Sequence, residues 1–150
     1  MYFETASFKD NYLSCSHLHK LHWEETLAHI FPAGLDLKPN QYIALEQEGK
    51  LISFAARVNE QIVGYALLDL YQHPFIGGRT CAAVNAFFIE KPHRSKGSAQ
   101  KFMNYIENTL KNRGILYLSF NVGTGKALGR FLNMQGYSAT NIFYTKHLEI

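Results

Sequence analysis

Arg94-Ser95-Lys96-Gly97-Ser98-Ala99 is the stretch on which the reading of this chain turns. It follows an apolar run, Val84-Asn85-Ala86-Phe87-Phe88-Ile89, that reads as a buried strand. It precedes Gln100-Lys101-Phe102-Met103-Asn104-Tyr105-Ile106-Glu107-Asn108-Thr109-Leu110, which reads as a helix. A helix start leaves N–H groups without intrahelical partners, and the helix dipole puts partial positive charge at the same point. Gly97 admits a ligand close to the backbone, and Arg94 and Lys96 add full charges. The ligand suited to such a junction is a phosphate or pyrophosphate. Its alternative is a glycine-containing strand–helix turn that binds nothing.

The rest of the chain parses outward from that junction. Residues 2–8 alternate as a first strand, residues 11–30 read as a helix, and residues 40–47 as a second helix with Asn40 as N-cap. Leu51–Val58 and Ile62–Tyr71, joined by Asn59-Glu60-Gln61, form a hairpin. Cys81–Ile89 is the next strand, and the helix 98–112 stops before Gly114, a good residue to end on. Ile115–Val122 reads as strand, Lys126–Met134 as helix and Tyr137–Leu148 as a last strand. This order gives one α/β (α+β) domain over residues 1–150: a mixed, mostly antiparallel sheet of about six strands with helices on its faces.

At 150 residues, 47% hydrophobic and 14% aromatic, the chain supports one packed core. A net charge of +3 suits an anionic ligand and is too weak to argue for nucleic acid. No apolar run is long enough to span a bilayer. Cys15 and Cys81 lie far apart with no C-x-x-C pair, so no disulfide framework is expected and a cytoplasmic location is.

Arg94-x-x-Gly97-x-Ala99 after a strand resembles the Q/R-x-x-G-x-G/A motif of the GNAT N-acetyltransferases. Val63-Gly64-Tyr65 resembles the opening of the third strand in that family, and Ala127-Leu128-Gly129-Arg130-Phe131-Leu132-Asn133-Met134-Gln135-Gly136-Tyr137 its late helix. His22-Trp23-Glu24-Glu25, Gly49-Lys50-Leu51, Ala56-Arg57, Gly64-Tyr65 and His73 are similar to short GNAT proteins of phage and prophage genomes, which would make the location a host cytoplasm. The resemblance implies an acetyl-CoA-dependent N-acetyltransferase acting on a primary amine, small molecule or protein, by direct attack. The alternative is a non-catalytic CoA-binding or protein-interaction module. The resemblance further implies that the backbone of Phe87, Phe88 and Ile89 lines the pantetheine arm, and that Arg94, Ser95, Lys96, Gly97, Ser98, Ala99 and Gln100 hold the pyrophosphate.

Other roles follow from residue chemistry. The acceptor amine must arrive neutral, which asks for a base. His22, Glu25 and His29 share one helix face beside the apolar Leu18, Leu21 and Ala28. Glu25 is therefore a candidate base or amine clamp, unless that face is a solvated edge. His73 is the second candidate base; it alternates with Asp69 and Tyr71 along one face of the second hairpin strand. His22, Trp23, Asp69, Tyr71 and Asn85 are candidate acceptor contacts, with Asn85 either facing the cleft or satisfying a bulge. The family's usual tyrosine acid falls at Leu132 and its usual asparagine at Gly125, so both groups are missing here. No metal site is expected, because His17 and His19 point to different helix faces. Gly123-Thr124-Gly125-Lys126 is half a P-loop and no nucleotide site. Phe143 and Tyr144 are either core or the edge of a homodimer.

Overall fold

The computed structural model describes residues 1–122 and 127–148. The elements run β1 (Tyr2–Ala6), α1 (Phe8–Asn11), α2 (Ser16–Thr26), α3 (Pro39–Gln47), β2 (Leu51–Val58), β3 (Gln61–His73), β4 (Arg79–Ile89), α4 (Ser98–Asn112), β5 (Leu118–Phe120) and α5 (Ala127–Met134). Among the described residues one sheet forms, in the order β1-β2-β3-β4-β5, antiparallel throughout except for the parallel β4–β5 pair. The expected mixed α/β sheet with helices on both faces is therefore present.

The β2–β3 hairpin closes on Asn59 (φ 48°) and Glu60 (φ 67°). Two consecutive left-handed residues give the turn twist that antiparallel strands demand. At Gly64 a Cβ would lie 2.8 Å from the carbonyl oxygen of Phe88, so only glycine lets β3 and β4 approach this closely. α4 lays Phe102, Ile106 and Leu110 against Phe54, Ala66, Leu68, Ala82, Val84 and Ile89. Burial of each such large side chain contributes about 1.5–3 kcal/mol. On the opposite face α1–α3 cover a second cluster that includes Leu18, Leu51, Ala55, Tyr65, Leu67 and Phe88.

Four expectations are corrected. The helix expected over 11–30 is shorter, and a separate short helix, α1, precedes it. Ser7 caps α1, its Oγ accepting from the Asp10 N–H at 3.2 Å, and a turn through Tyr12–Cys15 precedes α2. α2 ends at Thr26, so His29 lies beyond it and is exposed. α3 starts at Pro39, whose fixed φ suits the first helical position, so Lys38 and not Asn40 is its N-cap. The strand expected over 115–122 shrinks to Leu118–Phe120, because Ile115 N–H bonds back to Leu110 O and closes the end of α4. Residues 137–148 form no strand. Beyond Tyr137 the alternating pattern meets no paired edge, and Ile142, Phe143 and Tyr144 are exposed and not core.

Candidate active site

Between β4 and α4 the chain makes a short 3-10 turn, Lys91–His93, and then two successive left-handed residues, Lys96 (φ 58°) and Gly97 (φ 72°). Such a backbone strains any residue with a Cβ. Buried Ser98 pins the helix start, its Oγ donating to His93 O at 2.7 Å while its N–H donates to Ser95 O at 3.2 Å. The N–H groups of Ser95, Lys96, Gly97, Ala99 and Gln100 have no acceptor among the described residues. Five free donors at the start of a helix running Ser98–Asn112 make an anion seat built of backbone.

Beside that seat the sheet splits. β5 pairs with β4 only along Ala82–Val84, so β4 from Asn85 to Ile89 has no partner on that side among the described residues. Glu90 N–H donates to Val63 O. Ladder alternation then turns Phe88 and Ala86 toward β3, and leaves the N–H groups of Phe87 and Ile89 facing the gap.

Arg94 does not point its charge at the seat. Its Nε donates to Ile89 O at 2.6 Å, and its Nη2 donates to both oxygens of Glu25 at 2.9 and 3.1 Å. The guanidinium lies 5.1 Å over the Phe88 ring. Lys91 adds a looser contact to Glu25 at 3.9 Å. His22, one turn earlier on α2, stacks on Phe88 at 4.9 Å, and its Nδ1 is 2.7 Å from the Tyr65 hydroxyl. Burial holds His22 and neighbouring His19 down to about 4, so both are neutral at pH 7. Burial likewise pushes the Cys15 thiol up to about 11, which excludes it as a nucleophile at neutral pH. Trp23 stacks on Phe31 at 6.0 Å as a wall of the same helix.

The polar candidates on the sheet sort by register. β4 carries a bulge opposite Leu67/Leu68, where Leu67 pairs with Ala86 and Leu68 with Val84. Asn85 is the extra residue, and its side-chain amide donates to Asp69 Oδ2 at 3.2 Å. Asp69, Ala83 and Ser119 form one cross-strand row, with Ser119 exposed. His73 lies five residues beyond Leu68, roughly 16 Å from where β4 and β5 part. Its Nδ1 accepts from Phe75 N–H at 3.3 Å, and its ring sits 6.3 Å from that of Tyr71. The structure thus brings His22, Glu25, Phe88 and Arg94 together, and Asp69 with Asn85, while Tyr71 and His73 stand apart.

Leu132 is buried in α5 and offers no acid. Tyr137 donates its hydroxyl to Glu107 Oε1 at 2.6 Å, and burial and that carboxylate push its pKa well up. Gly123–Lys126, including the Gly125 position, lies outside the described residues. Among the described residues no group of three or more metal-ligating side chains occurs, and no helix is long and apolar enough to cross a membrane. Tyr65 and Ser119 escaped the sequence reading as site residues. Strand alternation flags Ser119 only once its register against β4 is known.

A strand edge opened by its departing neighbour here leads to a helix start with free backbone N–H groups among the described residues. The chain belongs to the acetyltransferase (GNAT) family, whose model matches residues 15–137. No curated protein sequence matches it. Among solved structures it is similar to a ribosomal-protein-alanine N-acetyltransferase from Brucella melitensis biovar Abortus (17% identity, 100% of both chains, TM-score 0.70). A predicted acetyltransferase from Clostridium acetobutylicum, solved with acetyl-CoA, is similar at 17% identity over 97% of this chain and 95% of that one (TM-score 0.72). An aminoglycoside acetyltransferase from an uncultured soil metagenomic sample, in complex with sisomicin, shares 10% identity over 99% and 96% of the two chains (TM-score 0.78).

Proposed function

We propose that this chain is an N-acetyltransferase that moves an acetyl group from acetyl-CoA to a primary amine. The observation that carries the reading is the continuity of the β4 edge with the five N–H groups at the start of α4, all unpartnered among the described residues. That path suits an amide-containing arm ending in a pyrophosphate. Bound there, acetyl-CoA would supply an activated acetyl thioester. The N–H groups of Ser95, Lys96, Gly97, Ala99 and Gln100, with the Lys96 ammonium, hold the phosphates. The gap-facing N–H groups of Phe87 and Ile89 hold the arm and stand ready to donate to a carbonyl oxygen.

On the acceptor side Asp69, steadied by Asn85, takes the charged amine, and Ser119 completes the row. Small Ala83 between them leaves room for it. Glu25 is occupied by Arg94 and His73 stands roughly 16 Å from the opening of the gap, so Asp69 is the better-placed proton acceptor. The leaving sulfur takes its proton from solvent, since buried Leu132 supplies none. Two buried free cysteines accord with a cytoplasmic location. The exposed Phe143 and Tyr144 favour a homodimer edge over an isolated surface.

Leu132 also favours a second reading, a non-catalytic CoA-binding or protein-interaction module. Isothermal titration with acetyl-CoA and CoA, followed by thiol release with polyamines and lysine peptides, separates the two. Micromolar binding with amine-dependent thiol release establishes the enzyme. Binding without release across the panel establishes a CoA-binding module, and no binding at millimolar ligand sinks the acetyltransferase and leaves the protein-interaction module.

A further inference from the structure

We propose that Arg94 is a strut and Glu25 its positioning residue, so that their ion pair couples loading of the anion seat to docking of α2. The inference rests on the seat being the phosphate site of acetyl-CoA.

Arg94 starts in the loop that carries the free N–H groups, but its side chain crosses to the other face of the sheet. α4 packs on the face of Phe54, Ala66 and Val84, whereas Phe88, over which the guanidinium lies, faces α2. There Arg94 is held by Ile89 O, by both Glu25 oxygens and by the Phe88 ring. This geometry commits Nε and Nη2 of the arginine to protein groups and leaves the seat to backbone and Lys96.

Glu25 is otherwise badly placed. A carboxylate in the last turn of a helix opposes the dipole, and α2 has no basic residue there. Arg94 and Lys91 offset that cost from outside the helix. Leu18, His22 and Glu25 fall at i, i+4 and i+7 on one face of α2, and Glu25 is the last of them. The pair therefore clamps the end of α2 that carries His22 and Trp23, the helix facing the acceptor side. A loop fixed by bound phosphates fixes Arg94, and Arg94 fixes that end of the helix.

The test combines acetyl-CoA titration with amide hydrogen exchange on the wild type, Glu25→Gln, Arg94→Gln and the double variant. A strut predicts that each single change weakens acetyl-CoA by about threefold, and that the double variant is no weaker than either. It also predicts that acetyl-CoA slows exchange across residues 16–26 in the wild type and not in Glu25→Gln. A strong, salt-dependent loss in Arg94→Gln with unchanged or tighter binding in Glu25→Gln would make Arg94 a direct phosphate ligand and overturn the proposal. So would slowing of α2 that survives in Glu25→Gln. If the wild type binds no acetyl-CoA, the acetyltransferase reading fails separately. The strut is then judged in the free protein, where Glu25→Gln must raise exchange in residues 16–26 and 91–97 together. A rise confined to α2 refutes it.

Discussion

The two walls of the cleft are built from different materials. The proposed cofactor wall is backbone: two left-handed residues, with five N–H groups lacking an acceptor and a strand edge lacking a neighbour among the described residues. The proposed acceptor wall is side chain: Asp69 held by Asn85, His22 bonded to Tyr65, Glu25 clamped by Arg94. A backbone wall depends on conformation and tolerates many side chains. A side-chain wall depends on register and changes with each residue.

The division breaks most visibly at Gly97. Gly97→Glu adds left-handed strain of about 1–2 kcal/mol and sets a carboxylate among the anion-seeking donors. Acetyl-CoA affinity is expected to fall by about a hundredfold, with strain and repulsion together worth roughly 3 kcal/mol. Unaltered binding of acetyl-CoA by titration would move the cofactor wall elsewhere.

Histidine burial on α2 gives the next largest effect. Folding holds His19 and His22 at about 4, against an ordinary value near 6.5 in the unfolded chain. The folded state therefore binds fewer protons than the unfolded one over this window. The stabilisation is complete above about pH 6.5 and is lost as pH falls toward about pH 4, amounting to a few kcal/mol for the pair. Thermal melts between neutral pH and about pH 5 should show a steep decline that His19→Gln and His22→Gln each reduce. A flat profile would mean that these rings are solvated.

Asp69→Asn sharpens the comparison from the acceptor side. It keeps the size of the residue and removes both the charge and the proposed proton acceptor, so KM for an amine should rise by about tenfold and kcat should fall, while acetyl-CoA affinity holds. A parallel loss of both would show that the walls are not independent.

The contrast also explains what the sequence disclosed. The loop at Arg94–Ala99 was legible because glycine and helix-start chemistry are local. The hairpin was legible from its turn, and α4 from its periodic apolar face. Tyr65 and His22 are 43 positions apart, and only the packing of α2 on β3 joins them. The helix expected from residue 11 starts only at Ser16, because Tyr12–Cys15 form a turn behind the short α1 that Ser7 caps. The strand expected at 137–148 failed because alternation names a candidate and a partner edge makes the strand.

The bulge at Asn85 gives β4 two phases. Before it the odd-numbered residues, such as Ala83, share a face with Asp69; after it the even-numbered Ala86 and Phe88 share a face with Tyr65. The switch falls where β5 departs, so one inserted residue lets the same strand serve a packed rung and an open one. Substitution at position 85 would leave that phasing alone. Loss of the residue would restore unbroken alternation, with Ala86 still opposite Leu67 and Phe88 still opposite Tyr65, and would remove both the bulge at which β5 departs and the amide that holds Asp69.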